Sequence, residues 1–142
     1  MISWFDGAQL NVSVNALDRH VEGGRGNAPA VTFEADDGST TSYTYAEVLQ
    51  EVCRIANVLR DAGVGKGDTV TISLPMIPTA LFTMLACARI GAVHSVVFAG
   101  FSAEAVGDRI ADCRSKVGLT MMGMRSRHHD GIAGRCHGGL RH

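Results

Sequence analysis

The sequence predicts an α/β fold in which an N-terminal β-hairpin precedes a parallel sheet built from alternating helices and strands. Two β-rich runs flank the turn dipeptide Asp37-Gly38 within residues 29–45, the pattern of a hairpin. Helical and strand patterns then alternate three times up to residue 120, which is typical of a parallel, doubly wound sheet. Such sheets bind ligands beyond the carboxyl ends of their strands.

The first helix is predicted from a capping box at Thr44–Glu47 and from a glycine, Gly63, that suits its end. The side chains expected to face the core recur at helical spacing. They are Val48, Val52, Ile55, Leu59 and Ala62.

Two further helices and three strands follow. They are predicted at Thr69–Leu74 (strand), Pro78–Gly91 (helix), Ala92–Phe98 (strand), Ala103–Cys113 (helix capped by Ser102) and Lys116–Thr120 (strand). The strand Ala92–Phe98 is polar only at His94 and Ser95, which favours a strand covered on both faces and a partly buried His94.

Composition divides the chain into three parts. The 142 residues are 46% hydrophobic and 19% charged, enough for one domain with a core. We expect residues 1–29 to be irregular, residues 30–120 to form the α/β unit and residues 121–142 to be an atypical tail. Residues 1–120 carry a net charge of −4 and residues 121–142, rich in Gly, His and Arg, carry +3. The overall charge of −1 predicts no general attraction to nucleic acid or to an anionic membrane.

The cysteines indicate a reducing compartment. Cys53 and Cys87 lie in apolar helical patterns, and Cys113 and Cys136 form no CxxC pair. No secretory signal or membrane-spanning run is visible, so we expect a cytoplasmic protein.

The stretch Phe98-Ala99-Gly100-Phe101 is the candidate binding site. Small residues between two phenylalanines end a strand, where a backbone can approach a ligand, and the helix after Ser102 offers N–H groups to an anion. The alternative is a tight turn whose phenylalanines pack on the core.

Other motifs carry less chemistry. Gly63–Asp68 precedes a strand rather than a helix, which favours a surface turn over a phosphate-binding loop. The sequence shows no pattern typical of a nucleophilic catalytic triad. The tail contains five possible metal ligands: His128, His129, Cys136, His137 and His142. They are adjacent pairs or single residues, whereas zinc sites need separated pairs of ligands that can converge, so no metal site is predicted. No catalytic residue is predicted either.

Three segments carry a resemblance to a known family. Leu10–His20, Val52–Ile110 and the start at Trp4-Phe5 resemble, in order, the N-terminal region of AMP-forming acetyl-CoA synthetases, which are adenylate-forming acyl-CoA ligases. The resemblance covers about residues 3–120 and implies the incomplete first subdomain of such a ligase. Propionyl-CoA synthetase is the alternative relative.

The resemblance implies a two-step reaction. Acetate and ATP, with Mg²⁺ on the phosphates, form acetyl-adenylate, and the thiol of CoA then attacks it. It also implies that the turn at Phe98, Ala99 and Gly100 belongs to the CoA site, although many relatives have glycine where Ala99 stands. Allowing one deletion, Arg125 matches an arginine that meets CoA phosphates in the family, but the acidic residues and glycines around it are absent.

The resemblance ends near Thr120, before the family's ATP loop, acyl pocket and C-terminal domain. We therefore expect the chain alone to be inactive, and its tail to be disordered or to come from a frameshifted or mis-spliced reading, with a genuine short isoform as the alternative. A second hypothesis is a non-catalytic module that binds CoA or associates with a full-length ligase. A third is a product without function.

Overall fold

The computed structural model describes residues 6–121. Its elements follow one another as two π-helical turns, a hairpin, and then helices alternating with strands. The π-helical turns are Val14–Asp18 and Val21–Arg25; the strands are β1 (Pro29–Glu34), β2 (Thr40–Thr44), β3 (Thr69–Ser73), β4 (Val93–Val96) and β5 (Val117–Thr120); the helices are α1 (Tyr45–Asp61), α2 (Pro78–Ile90) and α3 (Ala103–Asp112).

Residues 12–25 are helical, so the prediction of an irregular region over residues 1–29 is wrong for that stretch. Asn11 starts the helical segment by accepting hydrogen bonds from the N–H groups of Ser13 (2.9 Å) and Val14 (3.3 Å). Its Nδ2 donates to the carbonyl oxygens of Ala88 and Arg89 at the end of α2, at 2.9 and 3.1 Å. Contacts with α2 thus hold a helix that local propensity alone does not predict.

The predicted hairpin and its exit into α1 are confirmed. β1 and β2 pair antiparallel, and Gly38 in the connecting turn has φ +80°, which favours glycine. At the start of α1, Thr44 Oγ1 accepts from the N–H of Glu47 (3.3 Å), and the Glu47 carboxylate accepts from the N–H of Thr44 (2.8 Å). This reciprocal pair is the capping box that the sequence predicts.

The predicted parallel sheet is also confirmed, with three strands in the order β4-β3-β5. Pro78 begins α2, and Gly91, at φ +76°, ends it. The connection from β3 to β4 and the one from β4 to β5 run in opposite directions across the sheet. Since such crossovers are right-handed, α2 and α3 lie on opposite faces. α1 packs beside α2.

The core lies between the α1/α2 layer and the sheet. Val48 and Val52 of α1 meet Val70 and Ile72 of β3 and Phe82 of α2 in one buried cluster. Of the side chains predicted for the core from α1, Ala62 is exposed, because α1 ends there, and Ala56 is buried in its place.

β4 differs from its prediction as a strand covered on both faces. It pairs with β3 alone, and Val93 and Val96 are 54% and 57% exposed. His94, predicted to be partly buried, is exposed as well. β4 has this exposure because, within residues 6–121, it is an edge strand. No helix in this part of the chain is long and apolar enough to cross a membrane.

The buried thiol of Cys87 gives a direct test of the core. Burial raises its pKa to about 11, so only about one thiol in a thousand is ionised at pH 8. We expect iodoacetamide to alkylate Cys87 far more slowly than the half-buried Cys53 and Cys113, as measured by peptide mass mapping. The difference should vanish in denaturant; equal rates in the native chain would contradict the packing described here.

Candidate functional site

The turn after β4 leaves both of its phenylalanine rings at the surface. Phe98 is 70% exposed and Phe101 is 52% exposed. Their rings meet edge to face, with centroids 5.9 Å apart, and the N–H of Phe101 donates to the carbonyl oxygen of Phe98 at 3.1 Å. The turn is therefore tight, but its phenylalanines do not pack on the core as the alternative interpretation required.

Gly100 is a glycine for a steric reason. Its φ is not in the left-handed region, yet a Cβ built on it would lie 2.6 Å from Cε1 of the Phe98 ring. The ring therefore lies directly over the Gly100 backbone. Any side chain at Gly100 displaces Phe98, so the position of this exposed ring depends on the glycine.

A cavity of about 360 Å³ opens beside the turn, between α3 and the carboxyl ends of β3 and β5. The turn contributes Ala99 and Phe101 to it, whereas Phe98 and Gly100 do not line it. Small residues make the space: Ala103 and Gly107, one helical turn apart on α3, and Gly118 on β5. A Cβ on Gly118 would lie 3.3 Å from Ile110, so this glycine also lets α3 approach the sheet closely.

The cavity lining carries no charged side chain. The polar side chains of the lining are Thr71, Ser73 and Thr120. At the start of α3, beside the cavity, Ser102 Oγ accepts from the N–H of Ala105 at 3.2 Å. The N–H groups of Ala103 and Glu104 have no partner inside the helix, but the Glu104 carboxylate sits in the same first turn. The cavity therefore suits neutral, largely apolar parts of a ligand better than phosphates.

The remaining candidates take no part in this site. Asp68 closes the Gly63–Asp68 turn by accepting from the N–H of Gly65 (2.7 Å) and from Lys116 Nζ (3.0 Å), as befits the predicted surface turn. Within residues 6–121, no three His, Cys, Asp or Glu side chains are grouped to hold a metal ion. Arg125 and the histidines and cysteine of the tail lie outside the described residues.

Sequence reasoning found the turn but missed the rest of the cavity. Thr71 and Ser73 of β3, and Val106, Gly107 and Ile110 of α3, line it as well. The signal available was the spacing of Ala103 and Gly107, which leaves one strip of α3 without bulk.

Comparison with known proteins identifies the family. The chain matches the AMP-binding enzyme family over residues 17–137. The chain belongs to this family. Among curated relatives, the acetyl-coenzyme A synthetase of Deinococcus radiodurans is 54% identical over 117 residues, and that of Bradyrhizobium diazoefficiens is 56% identical over 120 residues. These alignments cover 82% and 84% of this chain but only 18% of each relative.

A solved structure agrees with the fold of this AMP-binding family member. The acyl-CoA synthetase of Brucella canis superposes with a TM-score of 0.70 at 28% identity, covering 77% of this chain and 20% of that protein. The α/β fold predicted from the sequence is thereby confirmed as that of part of an acyl-CoA synthetase. No finding favours propionyl-CoA synthetase as the relative.

Proposed function

We propose that this chain forms one part of an AMP-forming acetate–CoA ligase, which makes acetyl-CoA from acetate, ATP and CoA through an acetyl-adenylate. The observation that carries the proposal is the 54% identity to an acetyl-coenzyme A synthetase, sustained over 82% of the chain. The chain spans about a fifth of the length of such relatives, so the proposal concerns a contribution to the reaction rather than the whole of it.

The contribution we propose is to hold CoA at the turn and the adjoining cavity. Ala99 brings backbone with only a small side chain to the cavity, and Gly100 lets the exposed Phe98 ring lie over the turn, where the ring offers a flat apolar surface. The uncharged cavity between α3 and β5 can take an apolar portion of the same molecule. We propose Arg125 as a contact for CoA phosphates, since its charge would supply what the cavity lining lacks.

In the proposed reaction ATP is a substrate and Mg²⁺ accompanies its phosphates. The described residues contain no grouped carboxylates for the metal ion, and we assign none of them to it. This part of the chain shapes a site for CoA and excludes water from the apolar portion of that site. It thereby positions the CoA thiol, which is the nucleophile, without changing the reactivity of the thiol.

Filling the cavity should weaken CoA binding. Gly107 lines the cavity, and no atom lies within 4 Å of where its Cβ would be, so Gly107→Leu adds bulk there without a backbone clash. Leucine also favours a helix more than glycine does. We expect calorimetric titration to show saturable CoA binding by the 142-residue chain and at least tenfold weaker binding by Gly107→Leu.

Asp108→Leu is the matched control, because Asp108 is exposed on α3 and does not line the cavity. It should bind CoA as the unchanged chain does. Equal CoA binding by Gly107→Leu and Asp108→Leu would show that the cavity is not part of the CoA site.

A further inference from the structure

A cavity outside the CoA site combines carboxylates with aromatic rings. It measures about 360 Å³ and lies where β2 meets the start of α1 and the start of α2. It shares no lining residue with the cavity proposed for CoA. Glu47 and Glu51 of α1 line it, and Tyr43, Pro78 and Phe82 supply apolar walls. No basic side chain of the described residues lines it, so the cavity favours an occupant with a positive charge.

Both carboxylates of this cavity keep one oxygen for a further hydrogen bond. Glu47 Oε2 accepts from the N–H and the hydroxyl of Thr44, at 2.8 and 2.9 Å. Glu51 Oε2 accepts from Arg54, which lines the neighbouring groove between α1 and α2 and not the cavity. Within residues 6–121, Oε1 of neither carboxylate accepts a hydrogen bond. Two such oxygens suit a guanidinium, which carries five N–H donors.

The walls of the cavity suit the stem of a long basic side chain. The half-buried Tyr43 ring meets the buried Phe82 ring edge to face, with centroids 5.3 Å apart. The methylene groups of an arginine pack on such a surface while its charged end stays beside carboxylates. A guanidinium also stacks on the face of a tyrosine ring. The cavity therefore fits an arginine side chain.

The tail of the chain contains such side chains. Residues 122–142 hold four arginines and carry a net charge of +3, whereas the chain before them carries −4. Thr79 lines both this cavity and the neighbouring groove, which also contains Met121, the last described residue. Arg127 follows six residues later, and six extended residues span up to about 20 Å. It is the first arginine after Arg125, so its docking would close a short loop at a small cost in entropy.

We propose that the cavity between β2, α1 and α2 binds the side chain of Arg127 and so holds the tail against the start of α1. This proposal goes beyond CoA binding and does not rest on it. The cavity proposed for CoA lies under α3, on the opposite face of the sheet from α1 and α2. Arg125 stays available for CoA phosphates.

Trypsin cleavage reports directly on a docked arginine, because the protease must take that side chain into its own pocket. The 142-residue chain is digested briefly at low salt, and mass spectrometry gives the rate of cleavage after Arg127 relative to Arg135. Glu47→Gln/Glu51→Gln removes both charges of the cavity, and a glutamine at the first position can keep the capping box. We expect the relative rate to be at least threefold lower in the unchanged chain than in this double variant.

Asp108→Asn/Asp112→Asn is the matched control, because it removes two exposed carboxylates from α3 and leaves the cavity intact. It should be cleaved like the unchanged chain, and circular dichroism should show that both double variants fold. In 1 M sodium chloride, where the Debye length is about 3 Å, the unchanged chain should lose its protection at Arg127.

Four results would overturn the proposal. Equal relative rates in the unchanged chain and the glutamine variant would show that the cavity does not hold Arg127. Faster cleavage after Arg127 in the asparagine variant would place the tail on α3 instead. Protection that persists in 1 M salt would exclude an ionic contact. Protection that increases with the concentration of the chain would mean that the tail docks on a second copy.

Discussion

Replacing Phe82 with alanine is expected to destabilise the fold by about 3–5 kcal/mol, the usual cost of removing a buried phenylalanine. Phe82 is only 4% exposed and belongs to the buried core cluster of residues 6–121. Its ring meets the Tyr43 ring edge to face, with centroids 5.3 Å apart, and so joins the hairpin to α2. Because a domain of this size has only about 5–15 kcal/mol of stability, the variant should be near the limit of folding.

Urea unfolding followed by circular dichroism measures this loss as a lower midpoint. Phe98→Ala is the matched control, since it removes the same atoms from a ring that is 70% exposed. We expect it to cost less than about 1 kcal/mol. Similar midpoints for the two variants would show that Phe82 is not part of the core.

The second large effect is expected from Arg89→Met, which removes the cation of a bidentate ion pair. Arg89 Nη1 and Nη2 each donate to one oxygen of the Asp18 carboxylate at 2.8 Å, and both side chains are largely buried. Exposed pairs contribute about 0–1 kcal/mol, whereas breaking a buried pair costs about 3–5 kcal/mol. Because the Arg89–Asp18 pair is intermediate in burial and the variant leaves the Asp18 carboxylate unpaired, we expect the free energy of unfolding to fall by about 2–4 kcal/mol.

The destabilisation should depend on pH. The Arg89 hydrogen bonds hold the pKa of Asp18 below its ordinary value of 3.8. A depressed carboxyl pKa stabilises the fold above the unfolded-state value and loses that effect as the pH falls through the folded-state value. The difference in free energy of unfolding between the unchanged chain and Arg89→Met should therefore be constant from pH 7 to about pH 5 and become smaller below about pH 4.

Arg54→Met provides the comparison for this series. Arg54 pairs with Glu51 on the surface of α1, where 72% of the Arg54 side chain is exposed. Its loss should cost less than about 0.5 kcal/mol. Two results would mean that Asp18 and Arg89 do not pair in solution. One is an equally small destabilisation by Arg89→Met, and the other is a difference in free energy of unfolding that does not change with pH.

Most of the α/β framework could be predicted because its signals are local. The capping box at Thr44–Glu47, the turn at Gly38, Pro78 at the start of α2 and Gly91 at its end are each a few residues long and act on their own backbone. The alternation of helices and strands then leaves few topologies, and the observed order β4-β3-β5 is one of them.

The errors have long-range causes. The N-terminal segment is helical because Asn11 and Asp18 bond to the end of α2, more than 70 residues away, and no local pattern reports such contacts. The exposure of β4 depends on which strands flank it, which its apolar sequence does not contain. The turn of the candidate site was predictable from its small residues, but the cavity required the packing of α3 over Gly118.

The bonds between the N-terminal segment and α2 also bear on the order of folding during synthesis. Asp18 is made 71 residues before Arg89, an interval of roughly 4–14 s at about 5–20 residues per second. The two strands of the hairpin pair with each other and can do so within this interval. The N-terminal segment can rest on α1 but gains its ion pair only after α2 has been made. The N-terminal segment, although it is made before α1 and α2, is therefore expected to be among the last of the described elements to reach its final position.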